Sequence, residues 1–255
     1  MTPRWEGIQM RVVVAGATGL IGSRTVARLR DHGVQVVPVS RRHGVDVITG
    51  NGLDEALRAA EVVVDVTDAP ARTEEAGLRF FRTATTNLLA AAASAGVEHH
   101  VVLSVVGAQR LRSGYFLAKE LQEYQVRKSP IPHSIVRAAL SFESLEAMAV
   151  ADTRPDGVHI APALVRPVAT DDIAAAVAHV AVGLPLFGTL EVAGPEEYRL
   201  DDLTAKLLAA KGDARSVVTD ARARLFAAEV GRRALLPEPG ANIGHTTFSA
   251  WLAQR

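Results

Sequence analysis

The chain has 255 residues, 48% of them hydrophobic, with 28 Lys and Arg balancing 28 Asp and Glu. That is enough for one large α/β domain, and the even charge gives no general pull toward nucleic acid or anionic membrane. The absence of cysteine excludes a disulfide framework, thiol catalysis and thiolate-held metal, and no apolar run approaches the ~18 residues of a membrane span.

The opening residues, MTPRWEGIQM, have no apolar core, do not read as a signal peptide, and are expected to form a loose leader; the expected location is the cytoplasm. A fully apolar strand over 12–15 then runs into Gly16-Ala17-Thr18-Gly19-Leu20-Ile21-Gly22. An amphipathic helix follows, with Val26, Ala27 and Leu29 on its inner face; Gly33 ends it, and a second apolar strand covers 34–39. Strand, glycine turn, helix and strand make a βαβ unit with a dinucleotide fingerprint where the fingerprint has physical meaning. Gly16 permits the tight turn, Gly19 lets backbone approach a pyrophosphate, and Gly22 lets the helix pack closely. The helix N-terminus offers free N–H groups and a positive dipole end to phosphates, here with Thr18, Leu20 and Ile21 around it.

Further along, a short helix is predicted over 53–60, a strand over 62–66 that is apolar on both faces, and a polar loop over 67–73. A long helix over 75–95 ends at Gly96, and a strand over 100–104 leads to a helix over 114–128 that Pro130 and Pro132 stop. A strand over 134–136 completes a repeated alternation, which means a parallel, doubly wound sheet with right-handed crossovers. Beyond residue 140 short strands near 158–160 and 189–192 mix with helices over 170–182, 200–210, 221–229 and 246–253. Asp171, Asp172, Asp201 and Asp202 stand at helix starts, where carboxylates suit the dipole better than they suit catalysis. The organisation expected is one domain over 1–255: a dinucleotide-binding core over 10–139 and, over 140–255, a small α/β lobe mostly on the substrate side.

An NAD-preferring unit of this kind places Asp or Glu at the end of its second strand, to bind the ribose 2′-hydroxyl. Here that segment reads Val39-Ser40-Arg41-Arg42, without an acid. Two guanidiniums and a hydroxyl suit a 2′-phosphate, so the sequence predicts NADP(H) over NAD(H).

The chemistry is expected at the carboxyl ends of later strands. Ser104 tips the strand over 100–104, and Tyr115 and Lys119, one turn apart, share a face of the next helix. A phenol is a poor proton shuttle at neutral pH; an ammonium close by moves its pKa into range, and a Ser104 hydroxyl would hold the carbonyl oxygen being protonated.

With its serine-tyrosine-lysine set and upstream glycine motif, the chain resembles the short-chain dehydrogenase/reductase superfamily. GATGLIG and the small C-terminal lobe resemble its atypical, NmrA-like NAD(P)H-binding branch, as do NLLAAAASAGVEHHVV (87–102) and the segments 165–175 and 190–203. The resemblance spans residue 10 to the final helix and implies a Rossmann-type fold. It implies that Ser104 orients the substrate carbonyl, Tyr115 is the acid/base, and Lys119 holds the nicotinamide ribose and lowers the tyrosine pKa. Many NmrA-like members lack the tyrosine; this chain keeps it. The family's Gly-Asp-Leu adenine contact has no clean counterpart, and Asp46 with Val47 is its nearest equivalent. Thr67, after the third strand, joins the cofactor set. No asparagine is placed as a fourth catalytic residue; Asn87 lies in a helix and is expected to be purely structural.

Eight histidines, with no HxxxH or HExxH spacing, predict no metal site, and there is no Gly-x-Ser-x-Gly elbow. Arg110 or Arg112 is a candidate tether for an anionic substrate. The substrate pocket is expected between residues 105–114, 138–142 and the C-terminal lobe. Its candidates Val105, Val106, Phe116, Leu140 and Phe142 suit a small hydrophobic carbonyl or quinone-like molecule. The function expected is NADPH-dependent reduction. The alternatives are a non-catalytic NADP(H)-binding regulator and an epimerase- or dehydratase-like enzyme. The partner expected is a small molecule, with no nucleic acid and no membrane; residues 83–95 and the Tyr115 helix are the faces such folds use to form a homodimer.

Overall fold

The computed structural model describes residues 9–254; the expected leader lies almost entirely outside them. Seven parallel strands form the central sheet: β1 (Arg11–Ala15), β2 (Gln35–Val39), β3 (Val62–Asp65), β4 (His99–Val105), β5 (His133–Ala138), β6 (Gly188–Ala193) and β7 (Asn242–Ile243). Their order across the sheet is β7-β6-β5-β4-β3-β1-β2. Strand order therefore reverses beside β1, and a crevice opens at the carboxyl ends there. The helices are α1 (Leu20–Asp31), α2 (Leu53–Ala56), α3 (Glu74–Ser94), α4 (Gly114–Lys128), α5 (Phe142–Ala151), α6 (Thr170–Val182), α7 (Leu200–Ala210) and α8 (Phe248–Leu252). This is the doubly wound α/β sheet that the alternating pattern predicts.

Strand periodicity decides which helix covers which face. Val12 and Val14 pack with Val26 and Leu29 of α1 and with Ile173 and Val177 of α6. Val13 and Ala15 point the other way, toward Leu53 of α2 and Leu88 and Ala92 of α3. The C-terminal part has a core of its own, in which Phe142, Leu145, Leu203, Leu207, Phe248 and Trp251 come together. Among the described residues, no helix is long and apolar enough to cross a membrane.

Two local expectations fail. The segment 221–229, expected as a helix, is a hairpin of Arg224–Leu225 and Ala228–Glu229, closed by Phe226 and Ala227 at positive φ. A two-residue hairpin closed in this way matches the right-handed twist of its strands. Conversely, α5 forms where no element is expected, capped by the Ser141 hydroxyl, which accepts from the Ser144 N–H.

The α3/α4 face of the sheet buries several polar groups, among them Asp65, His100, Ser104 and Arg137. His100 is fully buried, and neither ring nitrogen meets a hydrogen-bond partner among the described residues. Burial lowers its pKa to about 4, with the charge on Asp65 opposing and His133 assisting. Below the ordinary value the unfolded chain takes up a proton that the folded chain refuses, so stability falls as pH drops from about 6.5 to about 4. Linkage gives about 3 kcal/mol for a shift of this size. Thermal melts over that range should show His100→Leu losing markedly less stability than the wild type; parallel declines would exclude His100 as a source of the acid sensitivity.

Candidate active site

Every candidate cofactor and catalytic residue read from the sequence lines one cleft of about 840 Å³ at the carboxyl ends of β1–β5. Its cofactor end is built from the turn after β1. Gly16 sits at φ +85°, and a Cβ there would lie 2.8 Å from the Val66 carbonyl oxygen. At Gly22 a Cβ would meet the Gly16 carbonyl oxygen at 2.1 Å, so α1 approaches the turn more closely than any side chain allows. The Gly16 and Ala17 amides donate to Val39 O, and the Gly19 amide donates to Gly16 O. Helix α1 carries no side-chain cap and no acid in its first turn, leaving its leading N–H groups directed at the cleft where Thr18, Gly19, Leu20 and Ile21 line it.

The second strand ends at Ser40, and Arg41 and Arg42 follow in a single 3₁₀ turn, exposed beside the cleft. The Ser40 hydroxyl pairs with His43 Nδ1 at 2.8 Å. Next to them, Asp46 accepts from the Ile48 amide at 2.8 Å. Asn87 of α3 donates to the carbonyls of Val47 (3.0 Å) and Ile48 (2.8 Å). Asn87 thus fastens the loop that carries the adenine-side candidates, a role its helical setting did not reveal. The residues present fit a dinucleotide phosphate: two positions that exclude a Cβ, an uncapped helix N-terminus, and no acid at the end of β2.

At the other end the geometry departs from the sequence reading. Tyr115 and Lys119 both line the cleft. The Lys119 ammonium, however, donates to Leu103 O (2.7 Å) and to Gln122 Oε1, and lies 4.2 Å from the centre of the Phe81 ring. Burial lowers its pKa to about 8, against the pull of Asp65, Asp68 and Glu123. The Tyr115 hydroxyl donates instead to Asp68 Oδ1 at 2.6 Å. Burial first and the Asp68 charge second raise the phenol well above its ordinary range, with Arg72 opposing. The expected lysine-lowered tyrosine is therefore corrected: Tyr115 is held firmly as the neutral phenol.

Ser104 also requires correction. It forms part of the cleft wall, but its hydroxyl donates to Glu123 Oε1 at 2.6 Å and is not free to hold a carbonyl oxygen. Strand parity explains this, because Ser104 shares a face with Val102, which packs on Val126 of α4. Glu123 also takes two hydrogen bonds from Arg137, at 2.8 and 2.7 Å, and these hold its carboxyl below its ordinary range despite burial. Thr67 lines the cleft too, with its hydroxyl committed to Asp65 Oδ1 at 2.6 Å.

Of the substrate-side candidates, Val105, Val106, Phe116 and Leu140 line the cleft. Phe142 does not; it is buried against Phe248 and Trp251 in the C-terminal core. Arg110 is no substrate tether, since it donates to the carbonyls of Ala234 and Leu236 and pairs with Glu238. The hairpin supplies Leu225 and Phe226 to the wall. The Tyr115 amide donates to Phe226 O at 3.0 Å, and a Cβ on Gly114 would lie 2.4 Å from that same oxygen. The two aromatic rings then meet edge-on, 6.1 Å apart. Asp68 and Arg72, unread in the sequence beyond their polar loop, both line the cleft; their place just past the end of β3 was the available signal.

Comparison with known proteins agrees with this architecture. Residues 12–109 match the NAD dependent epimerase/dehydratase family. No curated protein matches the chain. Among solved structures, MoeE5 in complex with UDP-glucose and NAD is similar at TM-score 0.76 and 19% identity, over 95% of this chain and 96% of that one. An NADPH-dependent quinone oxidoreductase (QOR2) from Escherichia coli is similar at TM-score 0.62 and 20% identity, over 82% and 78% of the two chains. A dTDP-4-dehydrorhamnose reductase ortholog from Clostridium acetobutylicum follows at 0.66 and 18%, over 89% and 90%. At these identities the likeness establishes the fold alone, a Rossmann-type α/β sheet.

Proposed function

We propose that the chain is an NADP(H)-dependent oxidoreductase, in the NmrA-like branch of the short-chain dehydrogenase/reductases, that reduces a small apolar carbonyl or quinone-like substrate. The observation that carries this reading is a single cleft with a glycine cradle and two arginines at one end and a neutral tyrosine hydroxyl among apolar walls at the other. The glycine turn and the start of α1 would hold the pyrophosphate, and Arg41 and Arg42 the 2′-phosphate. A reduced nicotinamide supplies hydride. Tyr115 donates the proton at the carbonyl oxygen, while Val105, Val106, Phe116, Leu140 and Phe226 exclude water around it. The E. coli quinone oxidoreductase supports the substrate class by its name; the UDP-sugar relatives favour nucleotide sugars, for which this wall offers few polar anchors.

A second reading, a non-catalytic NADP(H)-binding regulator, draws support from one observation: the Ser104 hydroxyl and the Lys119 ammonium are both committed to buried partners.

Titrating the protein with NADPH and NADH, then assaying NADPH oxidation over a panel of quinones, aldehydes and nucleotide sugars, separates these readings. Arg41→Ala/Arg42→Ala is expected to lose about 10- to 100-fold in NADPH affinity and little in NADH affinity, in line with about 1.5–3 kcal/mol for a charge-assisted contact. Equal loss for both cofactors would remove the 2′-phosphate assignment, and tight NADPH binding without turnover on any substrate would favour the regulator.

A further inference from the structure

The tyrosine of the cleft has an acid for a partner where a cation is expected, and that acid is itself held from two sides. Asp68 Oδ1 receives the Tyr115 hydroxyl at 2.6 Å and the Ala69 amide at 2.8 Å. Asp68 Oδ2 pairs with Arg72 at 3.2 Å. Arg72 in turn lies 5.6 Å from the centre of the Tyr115 ring and 4.8 Å from that of Phe226, so its planar cation closes over both aromatics. The other charged groups around the tyrosine are committed elsewhere. Asp65, at the end of β3, accepts from Thr67 and Gln122. Glu74, at the start of α3, accepts from the Gly114 amide at 2.7 Å. Lys119, on the tyrosine's own helix, is turned to Leu103 O and Gln122. On the hairpin, Arg224 and Glu229 pair with each other. Asp68 is thus the one ionisable group among the described residues in hydrogen-bonding contact with the Tyr115 hydroxyl.

We propose that Asp68, oriented by Arg72, is a positioning residue that holds the Tyr115 hydroxyl in its protonated form at the cleft until a substrate oxygen displaces Asp68 as its acceptor. The proposal rests on the reductase reading above and specifies which way that site is poised. In reduction the Tyr115 O–H bond breaks, its proton bonds to the substrate oxygen as hydride from the reduced nicotinamide reaches the carbon, and the phenolate left behind takes a proton from solvent. A carboxylate beside a phenolate opposes charge on the latter, so it drives that last step and resets the acid. The raised phenol pKa, caused by burial and then by Asp68, agrees with this direction.

The test needs no cofactor. Ultraviolet titration of tyrosinate is run on the wild type and on Asp68→Asn, each with a matching Tyr115→Phe variant subtracted to remove Tyr124 and Tyr198. Asparagine keeps an acceptor oxygen and drops the charge. The Tyr115 ionisation is expected to move down by about one pH unit or more in Asp68→Asn, a tenfold change in its equilibrium, and to stay high in Asp68→Glu. Unchanged titration in Asp68→Asn would overturn the proposal. The substitution falls on a surface loop with no regular structure, and Asp68→Ala provides the same reading should the amide misfold. In turnover, the basic limb of the kcat profile should move down in step with the titration, which a merely structural aspartate would not cause. If the wild type reduces nothing, the reductase reading fails while the titration still reports on Asp68.

Discussion

Tyr115→Phe is expected to lower kcat for the proposed NADPH-dependent reduction by about 10²–10⁴-fold, the usual contribution of a positioned general acid. The change is clean because the ring is fixed by packing rather than by its hydroxyl. Phe81 lies 5.9 Å from it and Phe226 6.1 Å, both edge-on, and a phenylalanine keeps both contacts. What is lost is the charge-assisted bond to Asp68, a net cost of about 1.5–3 kcal/mol at a site whose aspartate still has Arg72 and a backbone amide. NADPH affinity should therefore hold while turnover collapses, a split read by fluorescence titration beside steady-state kinetics. A Tyr115→Phe enzyme as active as the wild type would rule out the tyrosine as proton donor and move attention to solvent or to Asp68 itself.

The fold was legible because the determinants of each element are local. Glycines and prolines bound the segments, and apolar runs four or five residues long alternate with helical periods, so α4, α6 and α7 fall on their predicted bounds. The hairpin was not legible for the opposite reason. ARARLFAAE is made of good helix formers, and only tertiary contact overrules them: the bare Cα of Gly114 admits Phe226 O, and the Tyr115 amide binds it. Helix α5 left a signal in its Ser141 cap, but one too short to stand out before the core formed by Phe142 and Trp251 was known.

The cleft shows the same division. Which residues reach it follows from strand ends and helix spacing, and the sequence supplies both. How their polar atoms point depends on what else is buried nearby. Parity places Ser104 on Val102's face, but Glu123 and Arg137 as its neighbours are a matter of packing. Lys119, enclosed at 2% exposure, must satisfy its ammonium locally, and the Leu103 carbonyl and Gln122 are what it finds. Spacing alone gives a Tyr-Lys pair; burial redirects the lysine and leaves Asp68 with the phenol.

The glycine turn offers the largest effect on cofactor binding. A Cβ at position 22 would lie 2.1 Å from Gly16 O and 2.8 Å from Gly16 C, distances that no rotamer relieves because both partners are backbone. Gly22→Ala therefore forces α1 away from the turn and pulls its leading N–H groups off the proposed pyrophosphate site, so NADPH affinity should drop at least about 100-fold, nearly 3 kcal/mol. Gly33→Ala is the control. Gly33 also has a positive φ, +74°, but nothing lies within 4 Å of its would-be Cβ, and it sits past the far end of α1. Left-handed strain of about 1–2 kcal/mol should lower its Tm by several degrees and leave NADPH binding intact. Titration and melting of the two variants side by side distinguish a general loss of stability from the loss of a cradle. If both lose cofactor equally, close approach at Gly22 is not what shapes the phosphate site.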